Sequence, residues 1–144
     1  MDINKICSYV QKGWPNAYVK SDKVIASSIK FADQTVYTEV YVGAASIQIE
    51  MYGGETDFND SELEHYVDVY NELFASNTGF KAYNRMDKGN DKPRLMFVAI
   101  LTNDASDEYE VTVKIGKVFE KLRNSGNGID YFYNFLVYVR NKYL

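Results

Sequence analysis

The first apolar positions of the chain, Ile3, Ile6, Cys7 and Val10, fall at i, i+3, i+4 and i+7, so they share one face of a helix. Asp2 stands where a carboxylate can accept from the free amides of a first turn. Gly13 suits a left-handed cap, and Pro15 after Trp14 has no amide with which to continue the ladder. The spacing predicts a helix over 3–12. The period then drops to two. Residues 24–31 are rich in β-branched side chains, and over 35–42 Val36, Thr38, Val40 and Val42 alternate with Tyr37, Glu39 and Tyr41. Ile47, Ile49 and Met51 alternate in the same way with Gln48, Glu50 and Tyr52. The connectors 32–34 and 43–45 are short, which favours an antiparallel meander with one wet face.

Helical spacing returns at Leu63, Tyr66, Val67, Tyr70, Leu73 and Phe74. Asn59 as N-cap would put Glu62 at N3, and Phe58 and Leu63 would then form a hydrophobic staple. Asn77 or Gly79 ends the pattern. Residues 80–86 and 94–102 read as a strand pair around the polar linker 87–93. Leu95 to Leu101 is apolar at every position, which predicts a strand inside the sheet and covered on both faces. Over 106–122, Val111, Ile115, Val118 and Leu122 support a helix, although Tyr109, Val111, Val113 and Ile115 also alternate as a strand would. Acids at the start (Asp107, Glu108, Glu110) and bases toward the end complement a helix dipole and decide for helix. After the break at 124–128, Ile129, Phe132, Tyr133, Leu136, Val139 and Tyr143 give a last helical stripe.

The elements sum to an α+β fold: helix, three-stranded antiparallel meander, helix, strand pair, helix and an extra C-terminal helix, with the helices packed on one sheet. A chain of 144 residues fits a single domain over 1–144, with a core at 3–122 and a helical extension at 126–144. One cysteine, Cys7, excludes an internal disulfide, and its place on the apolar face of the first helix makes it a small core filler. The first residues lack a basic segment followed by an apolar run, and no stretch approaches the ~20 apolar residues of a membrane helix, so the expectation is a cytoplasmic protein. The net charge of −4 argues against nucleic acid as a partner, since phosphate binding rests on Lys and Arg. The charge is uneven: residues 50–72 hold eight acids and no Lys or Arg, whereas 111–144 hold six bases against Glu120 and Asp130.

Candidate chemistry is sparse. His65 is the only histidine, beside Glu64 and one turn from Asp68, a trio that helix surfaces carry routinely and that matches no metal motif. Gly53-Gly54 and Gly126-Asn127-Gly128 lack the spacing and the lysine of a phosphate loop. No catalytic, cofactor-binding or metal residues are assigned. The tyrosines carry more. Tyr37, Tyr41, Tyr52 and Tyr83 fall on strand phases opposite the aliphatic residues, and they share that side with Glu50. Such a face suits protein recognition, because tyrosine offers a large contact area with little entropy to lose. Cross-strand aromatic pairing that merely supports the sheet is the competing reading. Glu55 and Asp57 extend the candidate surface into the acidic stretch.

The order of elements resembles that of the type III secretion chaperones and of the related YbjN-type bacterial proteins. The residues that carry the resemblance are Gly13-Trp14 after the first helix, the meander 24–51, the helix 59–74 and the strand 94–102. The resemblance covers 3–122 and implies a twisted sheet backed by helices, no catalysis, dimerisation, and binding of a protein segment along an apolar surface. The extension at 126–144 departs from the pattern, and no functional residue is carried over. The function expected is a non-enzymatic protein-binding module that holds a protein partner, without cofactor, nucleic acid or membrane, and as a homodimer. The alternative is an acidic inhibitor or immunity-type protein that neutralises a basic enzyme through residues 50–72.

Overall fold

The structure is a computed structural model, and the residues it describes are 1–31, 34–55, 60–85 and 94–125. The elements run α1 (Ile3–Val10), β1 (Tyr18–Ser21), β2 (Val24–Phe31), β3 (Gln34–Val42), β4 (Ser46–Glu55), α2 (Asp60–Leu73), α3 (Ala75–Thr78), β5 (Lys81–Arg85), β6 (Arg94–Thr102) and α4 (Glu108–Arg123). The six strands form one antiparallel sheet in the order β1-β2-β3-β4-β6-β5. The meander is the expected one, and β6 inserts between β4 and β5, so the long apolar strand lies inside the sheet. The α+β architecture with helices on the sheet is therefore as the alternation and the helical stripes implied.

One face of the sheet joins the helices in a single core. Ile25, Val36, Val40, Ile47, Ile49, Met51, Leu95 and Phe97 from the strands are buried with Ile6 and Val10 of α1, Leu63, Val67 and Tyr70 of α2, and Val111, Ile115, Phe119 and Leu122 of α4. Asp2 caps α1 by accepting from the Asn4 amide, and Asp107 caps α4 by accepting from the Glu110 amide at 2.9 Å. Glu108 and Glu110 occupy the first turn of α4 and Lys121 and Arg123 the last, as the dipole argument required. The strand alternation at Tyr109 and Val113 is a surface feature, since both are exposed. The edge strand β5 is closed by α2: Asn71 donates to the Ala82 carbonyl at 2.9 Å and accepts from the Ala82 amide at 2.7 Å. That pairing satisfies backbone groups an open edge would offer to another chain.

Several expectations are corrected. Residues 18–21 form β1, a strand the sequence pattern did not give. Helix α1 stops at Val10, and Gln11 caps it in right-handed conformation, so Gly13 is no left-handed cap; among the described residues the positive-φ glycine is Gly79, at 81°. Gly79 ends not α2 but the single turn α3, its amide donating to Ala75 O at 2.9 Å. Leu73 is 63% exposed and does not belong to the core stripe of α2. Strand β6 is not covered on both faces along its length: Val98 is buried but Ile100 is 65% exposed. The reason is the short partner, since β5 pairs with β6 only from Arg94 to Val98 and leaves Ile100 beyond its reach. The proposed cap Asn59, the staple residue Phe58 and the extension 126–144 lie outside the described residues.

Tyr70 joins α2, α3 and β6. It is fully buried, packs edge-on against Phe97 at 5.0 Å, and its hydroxyl lies 2.6 Å from Thr78 Oγ1, which also accepts from the Phe80 amide at 3.2 Å. Burial pushes the Tyr70 hydroxyl up to about 12, opposed by the Thr78 hydrogen bond. An unfolded phenol ionises near 10, so Tyr70 stabilises the fold fully below that pH and loses its contribution as pH rises through 12. The expected loss is roughly 2–3 kcal/mol. Urea midpoints measured across that range should fall steeply in the wild type and much less in Tyr70→Phe. Parallel falls in both proteins would assign the alkaline transition to another group.

Candidate functional site: the open tyrosine face of the sheet

The strand registers assemble the second face of the sheet in three rows. The first runs Ser28, Tyr37, Tyr52, Met96 and Tyr83, the second Tyr18, Ala26, Glu39, Glu50, Val98 and Lys81, and the third Val24, Tyr41, Gln48 and Ile100. Alternation places those of these residues whose side chains are described opposite the core set. Tyr18 is 56% exposed, Tyr37 54%, Tyr41 41% and Tyr83 39%, and with Ile100 they leave large apolar area uncovered on one side of the sheet. Isolated exposed apolar residues are ordinary, whereas a set gathered on one face makes that face the candidate site.

The middle row carries the charge. Glu39 and Glu50 are direct cross-strand partners, an arrangement that like charges disfavour. Each is offset by a neighbour: Lys20 of β1 forms an ion pair with Glu39, and the Gln48 side-chain amide donates to Glu50 Oε1 at 2.6 Å. Lys81 lies over the Tyr83 ring, 5.6 Å from its centroid. A shallow depression of about 220 Å³ opens at the β1–β3 corner, lined by Tyr18, Lys20, Ala26, Ser28, Tyr37 and Glu39. Its rim is held by Asn16, whose side chain donates to Ser28 O and to Ser28 Oγ. Tyr41 is seated by the β3–β4 turn: a Cβ at Gly43 would stand 3.0 Å from Tyr41 Cε1 and 3.1 Å from Ser46 O, so the turn leaves room for the ring only without a side chain.

The structure thus brings Tyr37, Tyr41, Tyr83 and Glu50 onto one surface. Tyr52 holds a backbone register between Tyr37 and Met96, and Glu55 is paired with Arg94 at the end of β4; the side chains of both lie outside the described residues, as does Asp57 altogether. Sequence reasoning missed Tyr18 and Ile100. Tyr18 belongs to the unexpected strand β1, which the two residues Asp22-Lys23 join to β2 without the glycine that signals such hairpins. Ile100 falls in the apolar run 95–101, whose pattern predicts cover on both faces.

His65 is exposed on α2 with its ring 5.9 Å from that of Tyr66, and Cys7 is buried in the core, its thiol pushed up by desolvation. Among the described residues no group of three or more His, Cys, Asp or Glu side chains is placed to hold a metal ion. Among them too, no helix is long and apolar enough to cross a membrane.

No protein-family model matches the chain, and no curated protein matches it. Among solved structures, the crystal structure of YbjN from E. coli, a protein put forward as a transcription regulator, is similar at a TM-score of 0.59 over 91% of this chain and 91% of that one, with 13% sequence identity. At that identity the likeness is one of fold, and the fold of this chain is YbjN-like.

Proposed function

We propose that the chain is a non-enzymatic protein-binding module that holds a protein partner across the open tyrosine face, in the manner of a secretion chaperone. The observation that carries the reading is the gathering of Tyr18, Tyr37, Tyr41, Tyr83 and Ile100, all exposed, on one side of a sheet whose other side is a closed core. Rigid strands fix the positions of these rings before any partner arrives, which lowers the ordering cost of binding. A regulatory role of the kind put forward for YbjN would here run through protein contacts, because a net charge of −4 opposes direct binding to phosphate. The reading includes a cytoplasmic location and self-association as a dimer.

The test is a pair of face substitutions, Tyr37→Ser with Tyr41→Ser, against Tyr109→Ser, an exposed aromatic on α4 away from the face. Surface changes of this kind shift stability by about 0.5 kcal/mol or less. Circular dichroism melts should therefore superimpose for all three proteins. Light scattering and affinity capture from the cells of origin should show association lost in the double variant and kept in Tyr109→Ser. Association unchanged by the double substitution would remove the tyrosine face from the function.

One observation favours a second reading, an acidic inhibitor of a basic enzyme. Glu64, Asp68 and Glu72 are exposed and follow one another at i, i+4 and i+8, so they form an acidic ridge along α2. An electrostatic inhibitor would associate quickly and lose on-rate as salt rises, whereas capture by the tyrosine face would be little affected.

A further inference from the structure

A second apolar surface lies on the helical side of the molecule. Between the end of α1 and the outer side of α4 runs a groove of about 420 Å³, within the roughly 300–1,000 Å³ of small-molecule sites. Val10, Trp14, Ile115 and Phe119 floor it, and the Trp14 ring stands perpendicular to that of Phe119 with centroids 4.4 Å apart. Two glycines also line the groove, Gly13 and Gly116. Neither has the positive φ that would require glycine. Neither is kept small by its surroundings: a Cβ at Gly116 would meet nothing within 4 Å, and one at Gly13 only Val10 O at 3.9 Å. Gly116 is moreover interior to α4, where glycine weakens a helix relative to alanine. Two glycines without an internal reason open onto one apolar trough, and close approach of a ligand to the backbone is what a missing side chain permits there.

The lining is chemically uneven along its length. At one end Tyr9 packs edge-on against Tyr109 at 5.7 Å, and Thr112 turns its hydroxyl to Glu108 O at 3.0 Å. The charge stands at the other end, where Arg123 is the charged side chain among the lining residues. Arg123 is exposed, and among the described residues it enters no ion pair. The nearby carbonyls it could otherwise bind, Glu120 O and Leu122 O, accept instead from the Asn124 and Ser125 amides. A guanidinium at the mouth of an apolar trough matches a carboxylate at the end of an apolar chain, because its paired donors fit both carboxylate oxygens. From Thr112 to Arg123 the helix rises about 16 Å, which sets the length of that chain. We propose that the groove is a binding site for a medium-chain carboxylate, its apolar body laid over Gly116 between Trp14, Ile115 and Phe119 and its head group held by Arg123.

Trp14 is the only tryptophan, so its fluorescence reads the groove alone. Decanoate, titrated into the full chain below its micelle concentration, should shift the emission to the blue, shield it from acrylamide and saturate at one equivalent. Decanol, which keeps the apolar body and lacks the charge, should bind at least about tenfold more weakly, since it forgoes the charge-assisted hydrogen bonds. Arg123→Gln should weaken decanoate by the same factor and leave decanol unchanged. Gly116→Leu fills the trough from within α4 and should abolish the response to both, with far-ultraviolet circular dichroism as in the wild type. The proposal is overturned if Trp14 does not respond to decanoate, or if the response climbs without saturating. It is overturned also if decanoate binds Arg123→Gln as tightly as the wild type, because the head group is then not recognised, or if it binds a folded Gly116→Leu unchanged, because the ligand then lies elsewhere.

Discussion

Phe97→Ala is expected to cost about 3–5 kcal/mol, enough to unfold much of the population of an ordinary domain. Phe97 is 1% exposed at the centre of β6, its ring packed edge-on by Tyr70 and its backbone in register between Met51 and Ala82. Truncation there leaves a cavity that strands on both sides cannot close without breaking their pairing. Ile100→Ala, three residues along the same strand, should stay within about 0.5 kcal/mol, because Ile100 already stands in solvent on the opposite face. Urea unfolding of the two variants, with the slope as a check on two-state behaviour, reads the difference directly. Similar losses from both would mean that Ile100 is covered in solution, either by a second copy or by a segment of the chain outside the described residues.

The contrast between Phe97 and Ile100 shows what the pattern of the chain could and could not reveal. An apolar run such as Leu95–Leu101 fixes that a strand lies inside the sheet, and β6 does lie between β4 and β5. It cannot say how long the neighbours are, and β5 is five residues against nine. Strict alternation at Val36, Thr38, Val40 and Val42 was legible because four inward positions in succession leave one register. The side of the sheet to which Tyr37, Tyr41 and Tyr83 belong followed from the same phase. β1 was not legible because four residues hold only two alternations, one of them disturbed by the irregularity between Val19 and Ser21. The pairing of β4 with β6 was out of reach for another reason: it joins segments separated by α2, and nothing local encodes a contact between residues such as Ile49 and Ala99. Tyr18 entered the candidate site only through β1, so the error in the fold became an error in the site.

The same lesson can be measured on α2, where Leu63→Ala should cost about 2–5 kcal/mol and Leu73→Ala about 0.5 kcal/mol or less. Both leucines satisfy helical spacing from Tyr70 or Val67, and counting intervals alone put them on one stripe. At 3.6 residues per turn, however, Leu73 stands roughly 90° from the direction that Leu63, Val67 and Tyr70 share. Those three are buried against the sheet, whereas Leu73 is 63% exposed. Phe74 would return to the stripe, but the helix ends at Leu73 and Phe74 takes a non-helical conformation before α3, its ring half-buried and 6.2 Å from that of Tyr70. The end of α2 thus turns on Phe74, and Leu73 is left pointing outward by the last regular turn. Equal losses from Leu63→Ala and Leu73→Ala in urea melts would show that Leu73 is covered in solution. A destabilised Leu63→Ala beside an unaffected Leu73→Ala would place the edge of the core between them.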